Sequence, residues 1–217
     1  MVVTSSSPSI KNRAYPSGEQ RVIFNHLAWK DYLAILSAVG DTRSARLTYD
    51  QGRLEITMPL ESHEFASELI GLFIRILVEE LNLKIRSVGS TTLSYPQLEK
   101  SAEPDKGFYI QNQPLVAGRS LDLTQDPPPD LVLEVDITHT DIDKLSLYAA
   151  MGISEFWRFD GERLCIYILQ GESYDQSEVS ATFPTIPKAK LYQFLADSRQ
   201  DEVEASRRLR QWVRENG

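Results

Sequence analysis

Cysteine is nearly missing from this 217-residue chain. Cys165 stands alone, so no internal disulfide can form, and neither a disulfide scaffold nor a cysteine-rich zinc site is available. Its place in the apolar run LCIYIL predicts a buried thiol in a reducing compartment. Histidine is scarce too, and His26, His63 and His139 show no metal-ligand spacing with the cysteine. No run approaches the ~20 apolar residues of a membrane span. The opening MVVTSSSPSIKNRAYPSG lacks the basic start and apolar stretch of a signal peptide. The expectation is a disordered leader over residues 1–20, no membrane contact and a cytoplasmic protein. Basic residues are in deficit, 23 Lys and Arg against 31 Asp and Glu for a net charge of −8. That balance argues against a coat of lysines for indiscriminate nucleic-acid binding, but leaves room for a local basic groove or an acidic site that holds cations.

What is present is the composition of an ordinary globular protein, 41% hydrophobic and 25% charged, and one domain over residues 21–217 is the default. Apolar residues at helical spacing (Leu27, Tyr32, Leu36, Val39) predict a helix over Phe24 to Gly40, closed by the glycine. ARLTYDQGRLEITMP offers two alternating runs about Asp50-Gln51-Gly52, a hairpin. The stripe Phe65, Leu69, Leu72, Phe73, Ile76, Leu77 predicts a long helix from Ser62 to Leu81, with Ser62 as its cap. LKIRSVGSTTLSYP and AEPDKGFYIQN follow as strands, then a proline-rich loop to Pro129. A helix over Ile142 to Met151, a hairpin about Asp160-Gly161 and a basic helix from Lys190 to Asn216 complete the reading. No internal repeat is visible.

The stretch PPPDLVLEVDITHTDIDKLSLYAAMGISEFW, Pro127 to Trp157, poses the chemical question. Alternation in a strand puts Leu131, Leu133, Val135 and Ile137 on one side, and Asp130, Val132, Glu134 and Asp136 on the other. An unpaired buried carboxylate costs roughly several kcal/mol, so this row needs a counter-charge. Upstream, Glu103-Pro104-Asp105 enters the extended run Phe108-Tyr109-Ile110. If the two strands neighbour each other, Asp105 and Glu134 meet at one end as oxygen ligands for a hard divalent ion such as Mg²⁺. Lys144, in the first turn of the following helix, has a stem long enough to reach back over that end.

In order, these residues carry a resemblance. Pro104-Asp105, then Glu134-Val135-Asp136, then Asp143-Lys144 with Leu147-Tyr148-Ala149 and Ser154-Glu155-Phe156-Trp157 resemble the Uma2 family, also called DUF820, of restriction-endonuclease-like proteins in the PD-(D/E)xK nuclease superfamily. Tyr49-Asp50-Gln51-Gly52-Arg53-Leu54-Glu55, Pro59 and His63-Glu64 extend the similarity over nearly the whole chain. The resemblance implies an α/β restriction-endonuclease-like mixed sheet flanked by helices, with additional hairpins. It implies that Asp105 and Glu134 are catalytic metal ligands, that Glu64 is a third, helix-borne catalytic carboxylate, and that Mg²⁺ or Mn²⁺ is the cofactor. The superfamily lysine belongs at position 136, where this chain has Asp136; Lys144 is then the migrated catalytic lysine.

Each residue also has an ordinary use. Asp105 suits a turn after proline, Asp130 suits the entry of its strand or a supporting contact, Glu64 and His63 suit a helix N-terminus, and Lys144 suits a helix surface. Tyr148 and Trp157 read as core aromatics. Arg207, Arg210 and Arg214 share a helix face that suits phosphates, solvent or a subunit contact. The resulting expectation is a metal-dependent endonuclease that hydrolyses phosphodiester bonds of nucleic acid, DNA before RNA, and works as a homodimer. With Asp136 in the lysine position, the alternative is an inactive binding or assembly module of the same fold.

Overall fold

The computed structural model describes residues 20–40, 44–89, 91–137 and 142–217. Nearly all of the expected leader therefore lies outside the described residues, as does His139. In chain order the elements are β1 (Gln20–Phe24), α1 (Trp29–Val39), β2 (Arg46–Asp50), β3 (Arg53–Met58), α2 (Glu61–Glu80), β4 (Arg86–Ser87), β5 (Leu93–Tyr95), a 3-10 turn (Pro96–Leu98), β6 (Lys100–Ala102), β7 (Lys106–Tyr109), α3 (Gln113–Val116), β8 (Leu131–Val135), α4 (Lys144–Ala150), β9 (Glu155–Phe159), β10 (Leu164–Gln170), β11 (Ser173–Ser177), α5 (Lys188–Ser198) and α6 (Glu202–Asn216). No described helix is long and apolar enough to cross a membrane.

Two sheets carry the fold, which is α/β as expected. The first is antiparallel, in the order β1-β3-β2-β6-β5; the second is mixed, in the order β11-β10-β9-β8-β7-β4. Its one parallel pair, β8 with β9, is joined through α4, because parallel neighbours need a crossover and a helix supplies it. β8 is buried along its whole length, and its two faces enter two cores. Leu131, Leu133 and Val135 pack with Leu69, Phe73 and Leu77 of α2 and with Phe194 and Leu209 of α5 and α6. Val132 packs on the other side with Leu147 and Tyr148 of α4 and with Phe156. A third, smaller core joins Tyr32 of α1 to Leu47, Tyr49 and Leu54 of the β2–β3 hairpin. That hairpin turns on Gln51 and Gly52, at φ 41° and 99°; positive φ at both central residues matches the strand twist and suits glycine at the second.

Several boundaries differ from the sequence reading, each for a tertiary reason. The first helix begins at Trp29, because Phe24 is held in β1 against Leu54. Leu60, not Ser62, occupies the N-cap of α2, without a side-chain cap, and Phe65 of the predicted stripe is exposed. The C-terminal helix is two helices, the second started by Asp201, which accepts from the amides of Val203 and Glu204. β11 and α3 were not legible: β11 is polar and half-exposed, held by pairing to β10 rather than by an apolar pattern. Cys165 is half-buried rather than buried, and Ile137 is exposed rather than on the apolar face.

Candidate active site

β7 and β8 pair antiparallel with Lys106 opposite Leu133. One more step of that register sets Asp105 against Glu134, so the neighbouring of the two strands expected from sequence holds. Asp105 stands just before β7 begins, and its Oδ2 accepts a hydrogen bond from the Val135 amide at 2.6 Å. The carboxylate thereby takes the place of a ladder acceptor and is fixed beside the C-terminal end of β8. Loops outside the carboxyl ends of parallel strands are where open α/β sheets expose reactive groups; the parallel pair β8–β9 ends here.

One cavity gathers these groups. Its lining includes Asp105, Glu134, Asp136 and Lys144 from the mixed sheet side, and Arg21, Arg46, Thr48, Glu55 and Thr57 from the antiparallel sheet. The cavity holds about 40 Å³, room for a few water-sized ligands and too little for a nucleotide. Lys144 Nζ donates to Glu134 Oε1 at 2.8 Å and to Thr48 Oγ1 at 3.2 Å. Tyr148, one helical turn further along α4, donates its hydroxyl to the same Glu134 oxygen. Burial raises the Tyr148 pKa well above its ordinary value, and the Glu134 charge adds to the rise, so the phenol keeps its proton as a donor at neutral pH. Spacing of four residues puts both donors on one face of the helix.

Asp105 has its own set of partners. Its Oδ1 is ion-paired to Arg46 and its Oδ2 lies 3.0 Å from His63 Nε2. Arg46 also donates to Glu64 Oε1 at 2.7 Å, which brings Glu64 near Asp105 but leaves it 46% exposed and outside the cavity lining. Asp136 is held by Arg158 at 2.7 Å and Arg21 at 3.3 Å. Glu103, just after β6, accepts from the Leu47 amide at 2.9 Å and the Thr92 hydroxyl at 2.6 Å, which ties it to the antiparallel sheet. Asp130, before the N-terminal end of β8, is outside the cavity lining. It receives the amides of Ile110 and Asn112 at 2.6 and 3.0 Å, so it holds the chain after β7.

The lining charges are five carboxylates (Glu55, Glu103, Asp105, Glu134, Asp136) against three arginines and one lysine. His63 lies beside them, its Nε2 3.0 Å from Asp105 Oδ2. A divalent cation would add positive charge to this lining. Asp105 and Glu134 fit such an ion in kind, as hard oxygen donors. Among the described residues no three His, Cys, Asp or Glu side chains gather as a metal-binding group; Mg²⁺ commonly takes one or two carboxylates and keeps water for the rest.

The sequence model of Uma2, described as "Putative restriction endonuclease", matches residues 29–196, most of the chain. The chain belongs to the Uma2 family. Among solved structures, one described as a putative nuclease belonging to DUF820, from Anabaena variabilis ATCC 29413, aligns over 74% of this chain and 93% of its own, at 15% identity and a TM-score of 0.49. No curated protein matches.

In this Uma2 chain the sequence-picked Asp105, Glu134, Asp136 and Lys144 share one cavity, and Glu64, outside the lining, touches it through Arg46 and His63. Arg210 and Arg214 are instead committed to Glu79 and Glu80 of α2. Sequence reasoning missed Arg46, Thr48, Glu55 and Thr57. Their alternation with Leu47, Tyr49, Leu54 and Ile56 gave a correct polar face, and an exposed face is the usual inference for a hairpin. Here that face is covered, with Glu55 and Thr48 at 2% and 5% exposure. The four-residue spacing of Lys144 and Tyr148 was a usable signal for Tyr148.

Proposed function

We propose that this Uma2 protein is a metal-dependent endonuclease that hydrolyses phosphodiester bonds of nucleic acid, with DNA as substrate. The observation that carries the reading is the convergence of Asp105, Glu134 and Lys144 in one small cavity. Asp105 and Glu134 would hold the ion. Bound Mg²⁺ or Mn²⁺ supplies charge to the phosphate oxygens and lowers the pKa of water. Tyr148 and Lys144 hold Glu134 from the helix side, so its carboxylate is oriented before any ligand arrives. Lys144, a compact ammonium, stabilises the charge that develops on the phosphate. Arg46 and His63 fix Asp105, and the cavity walls exclude bulk water, which strengthens each of these interactions.

A second reading has its own support. Asp105, Glu134, Asp136 and Glu103 all have protein partners already, as a purely structural ion-pair network requires, and this is the inactive binding or assembly module. One experiment separates the two. Purified protein is incubated with supercoiled, linear and single-stranded DNA and with RNA, in Mg²⁺, Mn²⁺ or chelator, beside Glu134→Gln. The nuclease reading expects metal-dependent cleavage that the variant loses by about 10²-fold or more, together with Mn²⁺ binding, read by calorimetry, that the variant weakens. Absence of both cleavage and Mn²⁺ binding in the wild type selects the module.

A further inference from the structure

Asp136 occupies the position where the superfamily pattern has its lysine, and its surroundings give that exchange a consequence. The carboxylate draws in two guanidiniums from different sheets: Arg158 from β9 at 2.7 Å and Arg21 from β1 at 3.3 Å. Arg21 lies outside residues 29–196, the span of the family match, so this grouping goes beyond the shared motif. All three residues line the cavity that holds Glu134 and Lys144.

We infer that Arg21 and Arg158, gathered on Asp136, form an anion site for a phosphodiester group of the nucleic-acid backbone at the open side of the cavity. The inference rests on the nuclease reading and deepens it by placing the strand. Arg158 is 36% exposed, against 15% for Arg21, and a single nitrogen of its fork is spent on Asp136. The remaining donors of a planar fork suit phosphate oxygens. Arg21 also faces Glu55 at 3.9 Å, which pins it as the inner, less exposed member. The two arginines are balanced by Asp136 and Glu55, so the site is held neutral and gains a net positive charge when Asp136 loses its own.

That balance fixes the sign of the test. Labelled duplex DNA and duplex RNA of one sequence are titrated with full-length protein in chelator over a salt series, and binding is read by fluorescence anisotropy. Arg158→Gln weakens binding on the order of fivefold and lowers the slope of log K against log salt by about 1. Asp136→Asn tightens binding by a similar factor, because it removes the competing carboxylate. Arg21→Gln follows Arg158→Gln; should it fail to fold, the more exposed Arg158 decides alone. Unchanged affinity and slope in Arg158→Gln overturn the site, as does weaker binding by Asp136→Asn, which makes the carboxylate a latch between the sheets. A wild type that binds neither duplex also overturns it. A wild type that binds with these signs but cleaves nothing in Mn²⁺ removes the nuclease reading and leaves the anion site standing. The duplex bound more tightly identifies which backbone the site takes.

Discussion

The two ends of α2 carry the same kinds of charge in opposite surroundings. At its C-terminal end Arg210 and Arg214 of α6 hold Glu79 and Glu80; Arg214 and Glu79 are 67% and 66% exposed, and only the Glu80 side chain, at 7%, is covered. At its N-terminal end Arg46 joins Glu64 to Asp105, whose side chain is 1% exposed, and His63 closes on the same carboxylate. The exposed set relieves two carboxylates at the negative end of a helix dipole and is screened by water and salt. The buried set is desolvated, which costs several kcal/mol per ion, and packed apolar residues are commonly as stable in such a place. Stability alone therefore does not explain the buried set, and substitutions at the two ends of α2 should separate accordingly.

The largest effect is expected at Asp105. Asp105→Asn keeps the shape and an acceptor for the Val135 amide but removes the charge opposite Arg46, which Glu64 alone then balances. A loss of about 3 kcal/mol in urea unfolding is expected, the low end for breaking a buried pair, together with weaker Mn²⁺ binding by calorimetry. A loss within 0.5 kcal/mol would place this pair in the same class as the exposed set and erase the contrast.

How far the sequence disclosed this arrangement follows from which interactions are local. The β2–β3 hairpin, α2 and β8 were legible because their patterns are set by neighbours along the chain: Gln51-Gly52 in a turn, Leu69 and Phe73 on one stripe, Leu131 and Leu133 on one face. Asp105 and Glu134 were legible because family motif and alternation agreed. Arg46 and Arg21 were not. They reach the site from another sheet, and their sequence surroundings are those of any solvent-facing strand. β1 itself was not legible, its ends Gln20 and Phe24 falling in the expected leader and first helix, since five residues of mixed polarity declare a strand only when β3 lies beside them.

Lys144 is expected to give the next effect, on rate more than on stability. Lys144→Ala leaves Glu134 its Tyr148 donor, so unfolding should shift by about 1–2 kcal/mol. Cleavage should fall on the order of 10²-fold, the scale for losing one electrostatic stabiliser. Lys144→Arg should not restore it, because a planar fork does not replace a compact ammonium. Equal cleavage by wild type and Lys144→Ala would remove the lysine from the mechanism.

Asp143 tests how firmly α4 presents that lysine. It accepts from the amides of Leu145 and Ser146 at 3.0 and 3.2 Å, and its hydrogen bond with the Ser146 hydroxyl is the main cause of a carboxyl pKa below the ordinary value. A depressed folded pKa stabilises above the unfolded pKa of about 4 and ceases to do so as pH falls through the folded value. Asp143→Ala should therefore cost about 0.5–1 kcal/mol at pH 7, and the gap between the two proteins should close on acidification. A gap that is constant from pH 7 to strong acid would show that the carboxylate charge has no part in the cap.

The smallest effect belongs to the far end of α2. Arg214→Ala removes the nitrogen that donates to Glu80 Oε2 at 2.6 Å, the chief cause of the lowered Glu80 pKa. Arg210 still donates to Glu80 at 3.2 Å and to Glu79 at 2.6 Å, so the acidic pair at the helix end keeps a counter-charge. Van der Waals contact changes little, because a side chain this exposed packs mostly against water. The melting midpoint should move by no more than about 1 °C, any difference should vanish in molar salt, and nuclease activity should be unchanged because no lining residue is touched. A larger shift that survives high salt would mean that the α2–α6 pairs hold the fold as firmly as the buried set. The opposite ends of α2 would then differ in exposure alone, and burial would lose its standing as the mark that separates the candidate site from ordinary surface charge.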